Sequence, residues 1–110
     1  MTTPYSHRPD RVAAARQFLV SVRDREDAYL PRYGEVAQVV GGIAQGVAPV
    51  LNSVARDCVK AGEPDLSALV VLAGSGLLGR LDGEVVDPDD RRVLVAWQVE
   101  LERIRAHNWA

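Results

Sequence analysis

Cysteine is almost absent from this chain of 110 residues: Cys58 stands alone. One thiol excludes an intramolecular disulfide and a cysteine metal cluster. Histidine is nearly as scarce. His7 and His107 lie near opposite ends, and neither has a partner at metal-ligand spacing. Aromatic residues make up 5% of the chain, so a core has to be built from Val, Leu and Ala. There is no long apolar run. The longest, over residues 66–73, is interrupted by Ser67 and is far too short to span a bilayer. The first ten residues, "MTTPYSHRPD", lack the apolar stretch of a signal peptide. These absences point to a soluble, cytoplasmic protein with no membrane association.

What is present is balanced. A quarter of the residues are charged and about half apolar, as in a folded globular domain. The net charge is −2, unevenly spread. Residues 1–60 hold eight basic and six acidic side chains, and residues 61–110 hold five and nine. All the basic residues but Lys60 are Arg, the better fork for phosphates and base edges. An acidic total nevertheless argues against strong non-specific nucleic-acid binding, which depends on phosphate neutralisation.

Residues 1–8 read as a flexible N-terminal arm, and residues 9–110 as one domain. Pro9 and Asp10 open a first helix, whose apolar face is Val12, Ala15, Phe18, Leu19 and Val22. The mixed run 23–27 reads as a solvated helix end, and Pro31 stops the helix. Val36, Ala37, Val39 and Val40 form a two-turn helix closed by Gly41 and Gly42. A third helix follows, with Ile43, Val47, Val50, Leu51, Val54 and Cys58 on its buried stripe. Its regular part starts near Val47, with Pro49 in the first turn, and ends around residues 60–62. Short helix, turn and longer helix over residues 33–60 make a helix-turn-helix candidate.

Residues 66–72, centred on Val70 and Val71, lean towards a strand. Gly74, Ser75 and Gly76 supply turn chemistry, and residues 77–86 would return as a second strand interrupted at Asp82 and Gly83. Asp87 at N-cap and Pro88 at N1 would start a final helix with Val93, Leu94, Trp97, Leu101 and Ile104 on its buried stripe. The expected fold class is therefore α+β, mostly helical and winged-helix-like: three helices, a β-hairpin wing and a C-terminal helix.

The string Gly74-Ser75-Gly76-Leu77-Leu78-Gly79 satisfies G-x-G-x-x-G. A dinucleotide site also needs a helix straight after the glycines and further βα units. Here a turn signal follows, 31 residues remain after Gly79, and the helical residues 1–65 offer no partner strand for a parallel sheet. The motif reads as a hairpin turn, and no cofactor is called for. Cys58 reads as a small core residue, not a nucleophile.

The run "RYGEVAQVVGGIAQGVAPVL" resembles the DNA-binding domain of the alkylguanine-DNA alkyltransferases and alkyltransferase-like proteins. Tyr33-Gly34-Glu35-Val36-Ala37 matches the family's Tyr-Gly-Glu-Leu/Val-Ala element, and Ala44-Gln45-Gly46-Val47-Ala48 is similar to the opening of its recognition helix. Residues 66–71 fall where the active-site strand would be, and Gly76 and Gly79 fall in the wing. The resemblance spans roughly residues 30–105, a domain-length stretch. It implies the scaffold and DNA as partner, without the repair reaction. The family's alkyl-accepting cysteine falls at Ser67, and its neighbouring His and Arg at Ala68 and Leu69. A hydroxyl without a base does not replace an activated thiolate. The family's finger Arg falls at Gln45. Tyr33 matches the Tyr that helps rotate the damaged nucleotide, and reads equally as a packing residue at the entry to the second helix.

Two functions from different classes follow. One is a non-enzymatic protein that places residues 42–60 in a groove of double-stranded DNA, in a regulatory or accessory role. Its DNA-binding candidates are Gln45, Asn52, Ser53, Arg56 and Lys60, with Arg32 and Tyr33 at the second helix and Arg80 on the wing. The other is a protein-interaction module on the same scaffold, dimeric or with an acidic partner face at Asp82, Glu84, Asp87, Asp89 and Asp90. Neither requires catalytic residues, metal or cofactor.

Overall fold

The computed structural model describes residues 8–23, 29–41, 46–72, 74–81 and 84–109. Four α-helices carry the architecture: α1 (Arg8–Val22), α2 (Tyr33–Val40), α3 (Val47–Ala61) and α4 (Arg91–Ala106). No described helix is long and apolar enough to cross a membrane.

α1 starts one residue before Pro9, with Asp10 in its first turn near the positive helix end. Ala15 and Leu19 are wholly buried, Val22 nearly so, and Val12 and Phe18 pack partly against them. α1 ends well before Pro31, and residues 24–28 of the mixed-charge run lie outside the described residues, as do residues 1–7 of the expected arm. α2 begins with the Arg32 backbone: Arg32 N donates to Glu35 Oε1 at 3.3 Å, and Glu35 N donates to Arg32 O at 3.0 Å. It closes at Gly41, whose φ of 79° is left-handed. α3 runs from Val47 with Pro49 in its first turn, where its missing N–H costs nothing. Gly62, at φ 70°, terminates it, and Glu63 N reaches back to Cys58 O at 2.8 Å. That is the bonding of a Schellman motif.

The expected strand over residues 66–72 does not form. Leu66–Leu69 is a 3₁₀ turn instead, capped by Asp65, whose carboxylate accepts from Ser67 N at 2.9 Å. Every residue from Pro64 to Val71 is buried. This run is apolar on all sides, so its pattern suits a buried turn as well as a strand, and the Asp65 cap decides. Val71 makes two isolated bridges, to Arg32 and to Leu78. The expected wing is likewise not present. The only strand pair among the described residues is a two-residue ladder, Arg80–Leu81 against Glu84–Val85. The fold class is corrected accordingly, from α+β with a β-hairpin wing to a helical bundle. Gly74 to Gly79 does turn the chain: Gly76 has φ 68°, and Leu72 N donates to Leu77 O at 2.9 Å. Gly79 leads into the strand residues Arg80–Leu81, where a dinucleotide fingerprint would need a helix.

α4 also starts later than expected. Asp87 is not its N-cap. Asp87, Pro88 and Asp89 make a separate turn, with Asp89 N bonded to Asp87 Oδ1 at 2.9 Å, and Asp90 caps the helix through Arg92 N at 2.9 Å. The core lies where α1, α3, the 3₁₀ turn and α4 meet, and Leu19, Leu51, Leu66, Leu69, Leu78 and Ile104 are among its fully buried side chains. Trp109 folds back onto its own chain, with Nε1 donating to Ile104 O at 2.9 Å.

Candidate nucleic-acid interface and the buried cluster at Ser67

α3 is sided. At 100° per residue, Val47, Val50, Leu51, Val54, Ala55 and Cys58 fill one arc, and all are buried. Asn52, Ser53, Arg56 and Lys60 fall within about 100° on the opposite side. Arg56 and Lys60 are exposed, and Asn52 and Ser53 half-buried. The arc is partly ordered: Arg56 Nη2 donates to Ser53 Oγ at 3.2 Å, and Ser53 Oγ donates to Pro49 O at 3.1 Å. Asp57, exposed on the edge nearer α1, places an opposing charge beside this row. Ser53 and Asp57 also line an open cleft of about 460 Å³ with Pro9, Val12, Ala13 and Arg16 of α1.

The remaining candidates are dispersed. Arg32 is exposed at the α2 N-terminus, where Val71 N donates to Pro31 O at 2.9 Å. Tyr33 is half-buried and stands over Gly79: a Cβ there would lie 2.9 Å from Tyr33 Oη and 3.2 Å from Leu72 Cδ2. This close approach accounts for glycine at position 79 and gives Tyr33 a packing role. Arg80 lies in the short ladder. Gln45 lies outside the described residues. The structure thus unites Asn52, Ser53, Arg56 and Lys60 on one helix face and places Arg32 and Tyr33 on a second element.

Ser67 belongs to a different environment. It is 3% exposed, and Asp65 and Glu100 beside it are 2% and 7% exposed. Ser67 Oγ donates to Asp65 Oδ1 at 2.6 Å, the length of a hydroxyl bound to a carboxylate. Asp65 N donates to Glu100 Oε2 at 2.7 Å, and Arg103 Nη1 meets Glu100 Oε1 at 2.6 Å. Trp97 Nε1 donates to Ala68 O at 2.8 Å. These bonds fasten the 3₁₀ turn to α4. No buried side-chain N or O among the described residues lacks a partner, so the cluster is satisfied internally. The Ser67 hydroxyl is hydrogen-bonded to Asp65 and closed off from solvent. Sequence reasoning missed Glu100, which sits beside the Trp97–Leu101–Ile104 stripe. Its signal was an acid placed between stripe positions, with Arg103 three residues on.

A second polar junction ties α1 to the end of α3. Arg16 forks onto Glu63, Nη1 to Oε1 and Nη2 to Oε2 both at 2.8 Å. The Arg16 guanidinium also lies 5.5 Å from the Trp109 ring centroid. The hydrogen bond from Arg16 holds the Glu63 carboxyl below its ordinary range. Desolvation pushes the Cys58 thiol up. Among the described residues no group of three His, Cys, Asp or Glu is arranged to hold a metal ion.

No family model, no curated protein and no solved structure matches this chain.

Proposed function

We propose that this protein is a non-enzymatic, cytoplasmic DNA-binding protein that offers the outer face of α3 to a duplex. One observation carries the reading: Asn52, Ser53, Arg56 and Lys60 share one arc of a helix whose opposite face is fixed in the core. A helix held rigidly on one side and lined with amides, hydroxyls and cations on the other suits groove entry. Asn52 reads base edges, while Arg56, Lys60 and Arg32 supply backbone contacts. The resemblance of residues 33–37 and 44–48 to an alkyltransferase DNA-binding element supports the same face. The closed environment of Ser67 supports a role without alkyl transfer.

With two or three phosphate contacts, affinity is modest and salt-sensitive, the slope of log K against log salt being about −2 to −3. A gel-shift series at low salt tests this. Wild type retards duplex DNA at about 50 mM salt, and R56A and Q45A weaken the shift. No retardation of any duplex at that salt overturns the proposal and leaves the scaffold to protein contacts.

A further inference from the structure

Four large apolar side chains are exposed among the described residues: Val59, Leu72, Val95 and Val99. Val95 and Val99 are 57% and 52% exposed and lie one turn apart on α4. They belong to a longer stripe. Arg92, Val95, Val99, Glu102 and Ala106 are spaced 3, 4, 3 and 4, so they line one face of the helix with two valines between an Arg and a Glu. At 100° per residue the stripe covers about 80° of arc, diametrically opposite the buried Trp97, Leu101 and Ile104. All five stripe residues are exposed.

Isolated surface valines need no explanation, but a seam bracketed by opposite charges does. Arg92 and Glu102 are equidistant from the midpoint between Val95 and Val99. We propose that this face of α4 pairs with α4 of a second copy of the chain, antiparallel about a two-fold axis near Trp97. In that arrangement Val95 meets the partner copy's Val99, and Arg92 meets its Glu102, each twice. The parallel alternative sets Arg92 against Arg92 and Glu102 against Glu102, so charge selects the antiparallel pair. Arg92 already bonds Asp90 through Nε and Nη2, at 3.3 and 3.2 Å. Its five N–H donors leave capacity for a second carboxylate. Arg91 and Arg105 flank one side of the seam and oppose each other across it, which limits affinity. A seam one helix wide is also smaller than the roughly 1,200 Å² at the lower end of specific interfaces. The dimer is therefore weak, with Kd on the order of 100 μM. It involves α4 alone and is independent of the DNA reading of α3.

Sedimentation velocity on the full chain, from about 10 μM to about 1 mM, reads the equilibrium directly. Wild type moves from monomer to dimer over that range, and V99D, checked by circular dichroism for retained helix, weakens Kd at least about tenfold. R92E and E102R each stay monomeric alone and form a heterodimer when mixed, and the R92E/E102R double variant dimerises again. A wild type that remains monomeric throughout, or a dimer indifferent to V99D and to charge reversal, overturns the proposal.

Discussion

Replacing Ser67 with alanine removes one hydrogen bond from a sealed site, and its cost follows from the geometry. The Ser67 hydroxyl is 2.6 Å from Asp65 Oδ1, and both residues are buried. A hydrogen bond to a carboxylate contributes about 1.5–3 kcal/mol. The same Oδ1 keeps Ser67 N at 2.9 Å in the variant, so Asp65 is not orphaned and the expected loss is about 2 kcal/mol. For a domain of this size that is a fall in Tm of about 8 °C. D65A does more. It strips the cap from the 3₁₀ turn and leaves both the hydroxyl and the amide of Ser67 unpaired, costing about 3 kcal/mol or more. The double variant then costs less than the sum, with a coupling of about 1.5–2 kcal/mol. Urea titrations followed at 222 nm measure all four corners of the cycle. A loss for S67A under about 0.5 kcal/mol, or strict additivity, refutes the view that this pair fixes the turn.

Three further outcomes are expected. E63Q breaks the fork to Arg16 and destabilises by about 1 kcal/mol at neutral pH, a figure reduced for the partial exposure of Arg16. Because the folded-state pKa of Glu63 is lowered, the stabilisation is complete above the unfolded value of about 4.3 and is lost as pH falls through the lower folded value. The gap between wild type and E63Q should therefore close in acid, and a gap unchanged at low pH contradicts the assignment. G79A forces its new methyl against Tyr33 Oη and Leu72 Cδ2 and costs about 1–2 kcal/mol, part of which Y33F restores, as thermal melts of the two variants and their double would show. D57N removes an acid beside Arg56 and Lys60 and should tighten duplex binding severalfold in anisotropy titrations.

The helices were legible because their signals are local. The spacing of Val47, Val50, Leu51, Val54 and Cys58 needs no partner to be read, and Gly41 and Gly62 end their helices in the left-handed conformation that glycine favours. The segment 66–72 was not legible for the opposite reason. The strand preference of Val70 and Val71 yielded to a cap from Asp65 and to anchors from Trp97 and Glu100, about thirty residues away. The start of α4 lay between two aspartates with equal local claims. Asp87 closes its own turn, and Asp90 takes the cap. On the candidate site, periodicity placed Asn52, Ser53, Arg56 and Lys60 on one face, since a helix fixes its own faces. Tyr33 was open between nucleotide and packing roles, and its approach to Gly79 is a tertiary fact that no spacing encodes.

Whether the outer face of α3 meets DNA is read by fluorescence anisotropy. A labelled duplex is titrated with wild type and with R56A/K60A at several salt concentrations from about 50 mM upward. Wild type binds, and its salt slope falls by about 2 in the double variant, one for each lost phosphate contact, with helix content unchanged. Binding with an identical slope in both proteins, or no wild-type binding at the lowest salt, contradicts it.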